Sequence, residues 1–262
     1  MPSDTPSGPS VLVDDDGPVR TLRLDEPRRR NALSVPLRRE LRAALEAAHT
    51  DPQCRAVVLH GGEHFSSGGD ISSMPQGDRA DARDRLHLMA DVVSLVVEGP
   101  TPVIAAVEGA AVGAGTSLAA ACDVVVAARG ATFGAIFGRI GLVADSGLFW
   151  TLPRRVGPGA ARQLLLRGRR IGAEEGHTLG LVDELVDDGA ALAVAREIAA
   201  ELATAAPLPL AATKRMLADP PATLAQTLHA EERIQVGLFE TKDFAEGRAA
   251  FAQKRSPVFR GR

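Results

Sequence analysis

The 262-residue sequence predicts an α/β fold with a largely parallel sheet and a helical C-terminal region. Apolar runs of strand length alternate with helix-period segments through the first two-thirds of the chain. After about Gly189 the strand-like runs stop, and proline-punctuated helical patterns fill the remainder. Hydrophobic content of 45% and charged content of 24% are those of a globular chain able to bury a sizeable core.

The first ten residues, "MPSDTPSGPS", have no basic region leading into an apolar one, so they read as a disordered tail and not a signal peptide. Strands are expected at "SVLVDD", "VRTLRL", "RAVVLHG", "PVIAAVEG" and "DVVVAA", from their β-branched and alternating apolar positions. Helical spacing appears from Pro36 to Thr50, from Asp81 to Val97, and in a short piece from Thr116 to Cys122. Beyond Gly189, "ALAVAREIAAELATAA", Pro209 to Leu217 and Pro221 to Arg255 all read as helix. No run reaches the ~18 apolar residues of a membrane span, and a net charge of -3 argues against general nucleic-acid binding. Cys54 and Cys122 lack ligand spacing and read as a reduced pair, and no histidine cluster has metal spacing. A cytoplasmic location is the expectation from these features together.

Two glycine-rich turns carry chemistry. "HGGEHFSSGGDISSM" (His60 to Met74) follows an apolar strand, and its Ser-Ser-Gly-Gly-Asp core permits close backbone approach. Amides in such a turn can converge on a developing oxyanion, although an ordinary strand-to-helix connection explains the same residues. "AVEGAAVGAGTSLAAACDVVVAA" (Ala106 to Ala128) sets Gly113, Ala114 and Gly115 at a helix start, where free amides face a ligand. It does not meet the dinucleotide pattern GxGxxG; close helix–sheet packing is its bland reading.

With "LDEPRRRNALS" (Leu24 to Ser34) and "FAQKRSPVFRGR" at the C-terminus, these turns resemble the crotonase superfamily of enoyl-CoA hydratases and isomerases. The resemblance spans about Val11 to Arg262. It implies a spiral of ββα turns over residues 11–200 and a C-terminal helical region, 201–262, that serves oligomerisation as a trimer or dimer of trimers. It also implies an acyl-coenzyme A thioester as substrate, with no permanently bound cofactor. The oxyanion-hole amides would be those of Gly69 and Ala114. The two glutamates with which the superfamily's hydratases handle water fall on Ser117 and Phe137, neither of which does acid–base work.

"GRIGLVADSGLFW" (Gly138 to Trp150) then becomes the decisive stretch. It is similar to "GLVPDSGG" segments of relatives that rely on an aspartate, with Ala144 and Leu148 as departures. One carboxylate suffices for an allylic shift, taking a proton from C2 and returning it at C4. The apolar residues Ile140, Leu142, Val143, Leu148, Phe149 and Trp150 are expected to desolvate Asp145; a helix N-cap is the alternative role. On the coenzyme side the resemblance points to Arg28 and Arg30 within the arginine run, and to Asp70. Phe251 and Lys254 would be supplied by a neighbouring subunit. Ser73 stands where many relatives carry a lysine. The histidines make no case for chemistry; lining the entrance is the lesser alternative for His64, near the first glycine-rich turn. Hydration, or silent acyl-CoA binding, are the rival readings.

Overall fold

The computed structural model describes residues 8–74 and 77–262. Strands β1 (Ser10–Asp16), β2 (Val19–Asp25), β3 (Ala56–His60), β4 (Val103–Val107), β6 (Val124–Ala128) and β9 (Glu184–Val186) form a six-stranded sheet in the order β1-β2-β3-β4-β6-β9. Only the β1–β2 hairpin is antiparallel; every later pairing in this sheet is parallel. β5 (Ala110–Val112), β7 (Thr132–Gly134) and β8 (Arg170–Gly172) make a second, three-stranded sheet. These three short strands and β9 carry no period-two signal in the sequence, being only three residues each.

Side chains of the parallel strands alternate between two apolar layers, as the strand repeat of two demands. Val57, Leu59, Val103, Ala105, Val107, Val125 and Ala127 face the larger core, while Ala56, Val58, Ile104, Ala106 and Val126 face a smaller one. Helices α1 (Val35–Thr50), α2 (Arg79–Glu98), α3 (Ala114–Ala121) and α4 (Leu148–Arg167) contribute to the larger layer. α6 (Ala191–Ala203) covers the other face through Ala191, Ala195 and Ala199. α1 places Leu37, Leu41, Leu45 and Ala48 on one buried stripe, each leucine there contributing roughly 1.5–3 kcal/mol by burial. Ser34 caps the helix by accepting from Leu37 N.

The ββα repeat is legible in the pairing. β4 lies in the large sheet, β5 in the small sheet, and α3 follows. β6 and β7 repeat the step, as do β3 and the stretch at Ser66, which bridges in parallel to Ala111 of β5. Each turn of the spiral therefore changes sheets just before its helix, and these crossings lie side by side. α5 (Ala173–Leu179) follows β8, and α7 (Pro207–Ala218), α8 (Leu224–Phe239) and α9 (Lys242–Gln253) form the helical C-terminal region. Lys214 of α7 is buried and anchors that region to the sheet, donating to Asp123 Oδ2 (2.5 Å) and Thr101 O (3.1 Å). α4 breaks at Gly157 (φ 73°), between Pro153 and Pro158. Among the described residues no helix is long and apolar enough to cross a membrane. The expected tail lies largely outside the described residues; β1 already begins at Ser10.

Candidate active site

The loop at residues 26–34 and the turn at residues 61–70 are stitched together by backbone and short polar side chains. Asn31, buried and left-handed (φ 55°), is the centre of the seam. Its amide nitrogen donates to Gly61 O and His64 O, both at 2.7 Å, and its Oδ1 accepts from Glu26 N at 2.9 Å. Ser66 Oγ donates to Asn31 O (2.7 Å) and accepts from Gly68 N (3.1 Å). Ser67 N donates to Arg30 O, and Ser67 Oγ to Arg29 O.

This stitching orients one amide. Gly68 O accepts from Leu33 N at 2.7 Å. In a trans peptide the carbonyl and the following N–H point in opposite directions, so the Gly69 N–H is turned away from Leu33. The second amide is set by α3. Gly113 O accepts from Ser117 N at 3.1 Å along the helix, so the Ala114 N–H projects from the helix N-terminus with no intrahelical acceptor. The two turns touch closely. A Cβ on Gly68 would stand 2.5 Å from Val112 O and 3.4 Å from Ala114 N, at φ 96°, so only glycine fits. A Cβ on Gly115 would meet Ser66 O at 2.6 Å. α3 is built wholly of small or short side chains apart from Leu118, every residue of it buried, which is what lets its first turn press on the Ser-Ser-Gly-Gly-Asp segment. Arg155 secures its other end, donating to Ala120 O and Asp123 O.

Beside the Gly69 turn opens a cavity of about 270 Å³ whose wall includes Leu33, Arg38, Asp70, Met74, Arg85 and Asp145. The link to Gly69 is direct: a Cβ there would lie 3.0 Å from Met74 Cε and 3.7 Å from an Arg38 terminal nitrogen. Two carboxylates share the cavity, and they are differently committed. Asp70 accepts from Ser72 Oγ at 2.6 Å and from Arg29 at 2.9 Å. The Ser72 hydroxyl foremost, then Ser73 and Arg29, hold its carboxyl below the usual carboxylate range. The Asp145 carboxylate accepts only from its neighbour Ser146 Oγ, at 2.8 Å, among the described residues.

Ser117 ties the two halves of the site. Its hydroxyl, fully buried, donates to Asp145 O at 3.1 Å. The residue that the resemblance sets in the place of the first hydratase glutamate thus holds the backbone of the aspartate loop. Phe137, in the place of the second, is buried in the core. Two left-handed residues, Ser146 (φ 54°) and Gly147 (φ 73°), then turn the chain into α4.

A family model described as enoyl-CoA hydratase/isomerase matches residues 15–262. The chain belongs to the enoyl-CoA hydratase/isomerase family. A probable enoyl-CoA hydratase of Rhodobacter capsulatus is 41% identical over 255 residues, covering 93% of this chain and 95% of that one. The 1,2-epoxyphenylacetyl-CoA isomerase of Escherichia coli is 34% identical over 250 residues, covering 93% and 95%. The crystal structure of an enoyl-CoA hydratase from Bacillus anthracis superposes with a TM-score of 0.92 at 32% identity, covering 97% of this chain and all of that one. The crotonase spiral expected from the motifs is therefore the fold of this family member.

Several expectations for individual residues change in the structure. The apolar enclosure of Asp145 does not form within the chain: Ile140, Leu142, Val143 and Phe149 are exposed, and Asp145 itself is half-buried. Six apolar residues cannot all face one side chain when a short 3-10 turn (Phe137–Ile140), a loop and the first turn of α4 carry them in succession. The capping role is also absent. Gly147 occupies the N-cap of α4 without a side-chain cap bond, and Asp145 contributes only its backbone oxygen, to Leu148 N.

Among the three consecutive arginines, Arg29 reaches back to Asp70, while Arg28 and Arg30 are exposed and without an ion pair among the described residues. Arg28 and Arg30 therefore present free guanidinium groups on the same loop that builds the amide seam, a disposition compatible with phosphate contact. Ser73 accepts from Arg85 at 3.2 Å and lines the cavity. Phe251 (89% exposed) and Lys254, which caps α9 in the left-handed region, do not line the cavity of their own chain. His64 is spent on structure: its Nδ1 accepts from Ala110 N at 3.3 Å. Sequence reasoning missed Asn31 and Arg38. Asn31 had a signal, being the only polar residue that tolerates the left-handed region between Arg30 and Leu33; Arg38 had none among 30 basic residues.

Proposed function

We propose that the protein moves the double bond of an enoyl thioester of coenzyme A, from the 3- to the 2-position, by proton transfer through Asp145. One observation carries the reading. Of the two carboxylates on the cavity, Asp70 is bound by Ser72 and Arg29, which leaves Asp145 as the carboxylate available to a substrate.

In this reading the thioester oxygen lies between the Gly69 and Ala114 N–H groups. As Asp145 removes a proton from C2, negative charge spreads over C2, C4 and the thioester oxygen, and the two amides hold it. Each such donor contributes ~3–4 kcal/mol to the transition state. The same carboxyl then delivers its proton to C4, restoring its charge and leaving the double bond conjugated with the carbonyl. Arg28 and Arg30 would meet the coenzyme phosphates, with Asp70 organising their loop through Arg29. Phe251 and Lys254 would serve the site of an adjacent copy.

The test is product analysis on 3-hexenoyl-CoA and crotonyl-CoA. Formation of 2-hexenoyl-CoA without 3-hydroxyacyl-CoA is the expected result. The relatives described as hydratases favour hydration as a second reading; 3-hydroxybutyryl-CoA accumulating from crotonyl-CoA would select it. Acyl-CoA binding with no turnover of either would leave a silent binder.

The C-terminal helices support self-association in the same reading. Leu217, Leu224 and Phe251 are 71%, 74% and 89% exposed on α7–α9, apolar side chains that an adjacent copy would cover. Light scattering is expected to return the mass of three or six chains; a stable single chain would overturn the assembly and the role given to Lys254.

A further inference from the structure

Arg38 is a cation that the proposed proton transfer does not use. It projects from the first turn of α1 into the cavity wall, and its half-buried guanidinium is fixed by two neutral acceptors. Nε donates to Leu33 O at 2.7 Å and one terminal nitrogen to Arg85 O at 3.0 Å. No carboxylate oxygen of a described residue comes within 4.0 Å of it. The other cation of the cavity, Arg85, is paired with Asp81 at 2.7 Å, and Arg29 is paired with Asp70. The second terminal nitrogen of Arg38 makes no hydrogen bond among the described residues and is the one that lies near Gly69.

A guanidinium withdrawn from water without a counter-ion is costly, and the two backbone acceptors replace only part of its hydration. Burial accordingly pushes the Arg38 guanidinium below its ordinary range, with Asp145 and Asp70 acting in the opposite sense through space. Leu33, Val35, Met74, Ala82, Leu86, Leu142 and Val143, with Ser73 bound by Arg85, supply the rest of the lining, so the cavity is a largely apolar chamber with one cation lacking a direct carboxylate partner, beside Gly69. An acyl chain that is apolar throughout would fill the chamber and leave that donor dry. A chain ending in a carboxylate would fill it and supply the missing partner.

We propose that Arg38 selects acyl groups bearing a second carboxylate, so that the natural substrate is the coenzyme A monothioester of a short dicarboxylic acid. This inference rests on the reading of the cavity as the acyl site, and it makes Arg38 a specificity-determining residue, not a catalytic one. The fork of the guanidinium presents the remaining N–H groups to the carboxylate while Leu33 O and Arg85 O hold the group in register.

The experiment measures Kd by calorimetry for three pairs of saturated, unreactive thioesters: succinyl- against butyryl-CoA, glutaryl- against pentanoyl-CoA, and adipoyl- against hexanoyl-CoA. At least one diacid is expected to bind about tenfold more tightly than its uncharged partner, the effect of one charge-assisted hydrogen bond in a desolvated site. Arg38→Met is expected to abolish that preference while leaving the Kd of the uncharged thioester within about twofold, which also certifies its fold. Should that variant not fold, Arg38→Gln, which keeps a donor for Leu33 O, replaces it. Equal affinities in all three pairs for the wild type, or a preference that survives in a folded Arg38 variant, would overturn the proposal. Because these ligands cannot isomerise, a failure of the isomerase reading leaves the binding result intact. Failure of every thioester to bind overturns both.

Discussion

Asp145→Asn is expected to lower the rate of 3-enoyl-CoA isomerisation by roughly 10²–10⁴-fold, the range contributed by a positioned acid–base group. The substitution is nearly isosteric. The Asn side-chain oxygen can still accept from Ser146 Oγ, and the Ser117 bond goes to the backbone oxygen of residue 145, which is unchanged. The fold and the affinity for a saturated acyl-CoA should therefore match the wild type, and the loss should fall on kcat and not on KM. Steady-state kinetics beside a thermal melt separate these quantities. A variant retaining more than about a tenth of wild-type kcat would remove Asp145 from the chemistry.

The second large effect is structural. Asn31→Ala strips the acceptors Gly61 O and His64 O and the donor Glu26 N of their partner in one step. Each buried group left unpaired costs ~1–3 kcal/mol, and alanine is poorly suited to the left-handed conformation held here. Because the groups relax together, ~3–5 kcal/mol is the expected total, equivalent to a fall in Tm of about 10 °C for a chain of this size. Activity should fall further than stability alone requires, since the same bonds orient the Gly69 amide. Measurement of kcat well below the new Tm tests that coupling; full activity in a destabilised Asn31→Ala would show that the amide is placed without the asparagine. Asn31→Asp keeps the Oδ1 acceptor but sets a buried carboxylate oxygen against Gly61 O and His64 O, so it should destabilise at least as much as Asn31→Ala.

The main sheet was legible because its strands are long, apolar and β-branched: "RAVVLH", "PVIAAV" and "DVVVAA" became β3, β4 and β6 with boundaries shifted by a residue or two. The three-residue strands of the second sheet were not, because a single residue pair such as Phe133–Ile171 specifies their place, and no period can be read from it. At the site, the glycine-rich turns and Asp145 were pointed to by the motifs that carry the family resemblance. The seam that aims them was not, because it consists of hydrogen bonds between residues some thirty positions apart, such as Ser66 to Asn31 and Ser67 to Arg29. The surroundings of Asp145 were misread for a related reason. Apolar residues close in sequence need not close around one side chain when a turn, a loop and a helix start carry them: four of the six are exposed, and only Leu142 and Val143 of those four line the cavity beside Asp145.

The division of labour between backbone and side chain at the site has an evolutionary consequence. In the proposed reaction the half that would hold negative charge consists of main-chain amides at Gly69 and Ala114, fixed by glycines, small residues and Asn31. No exchange of a reactive side chain can delete it. The half that would handle protons is one replaceable side chain on a loop, and the resemblance sets Ser117 and Phe137 at two further stations where an acid could be installed or withdrawn. Such a lineage can change its reaction by a few point substitutions while its means of stabilising an enolate is inherited intact. Relatives at 34% and 41% identity bearing the names of an isomerase and a hydratase are what that arrangement would produce.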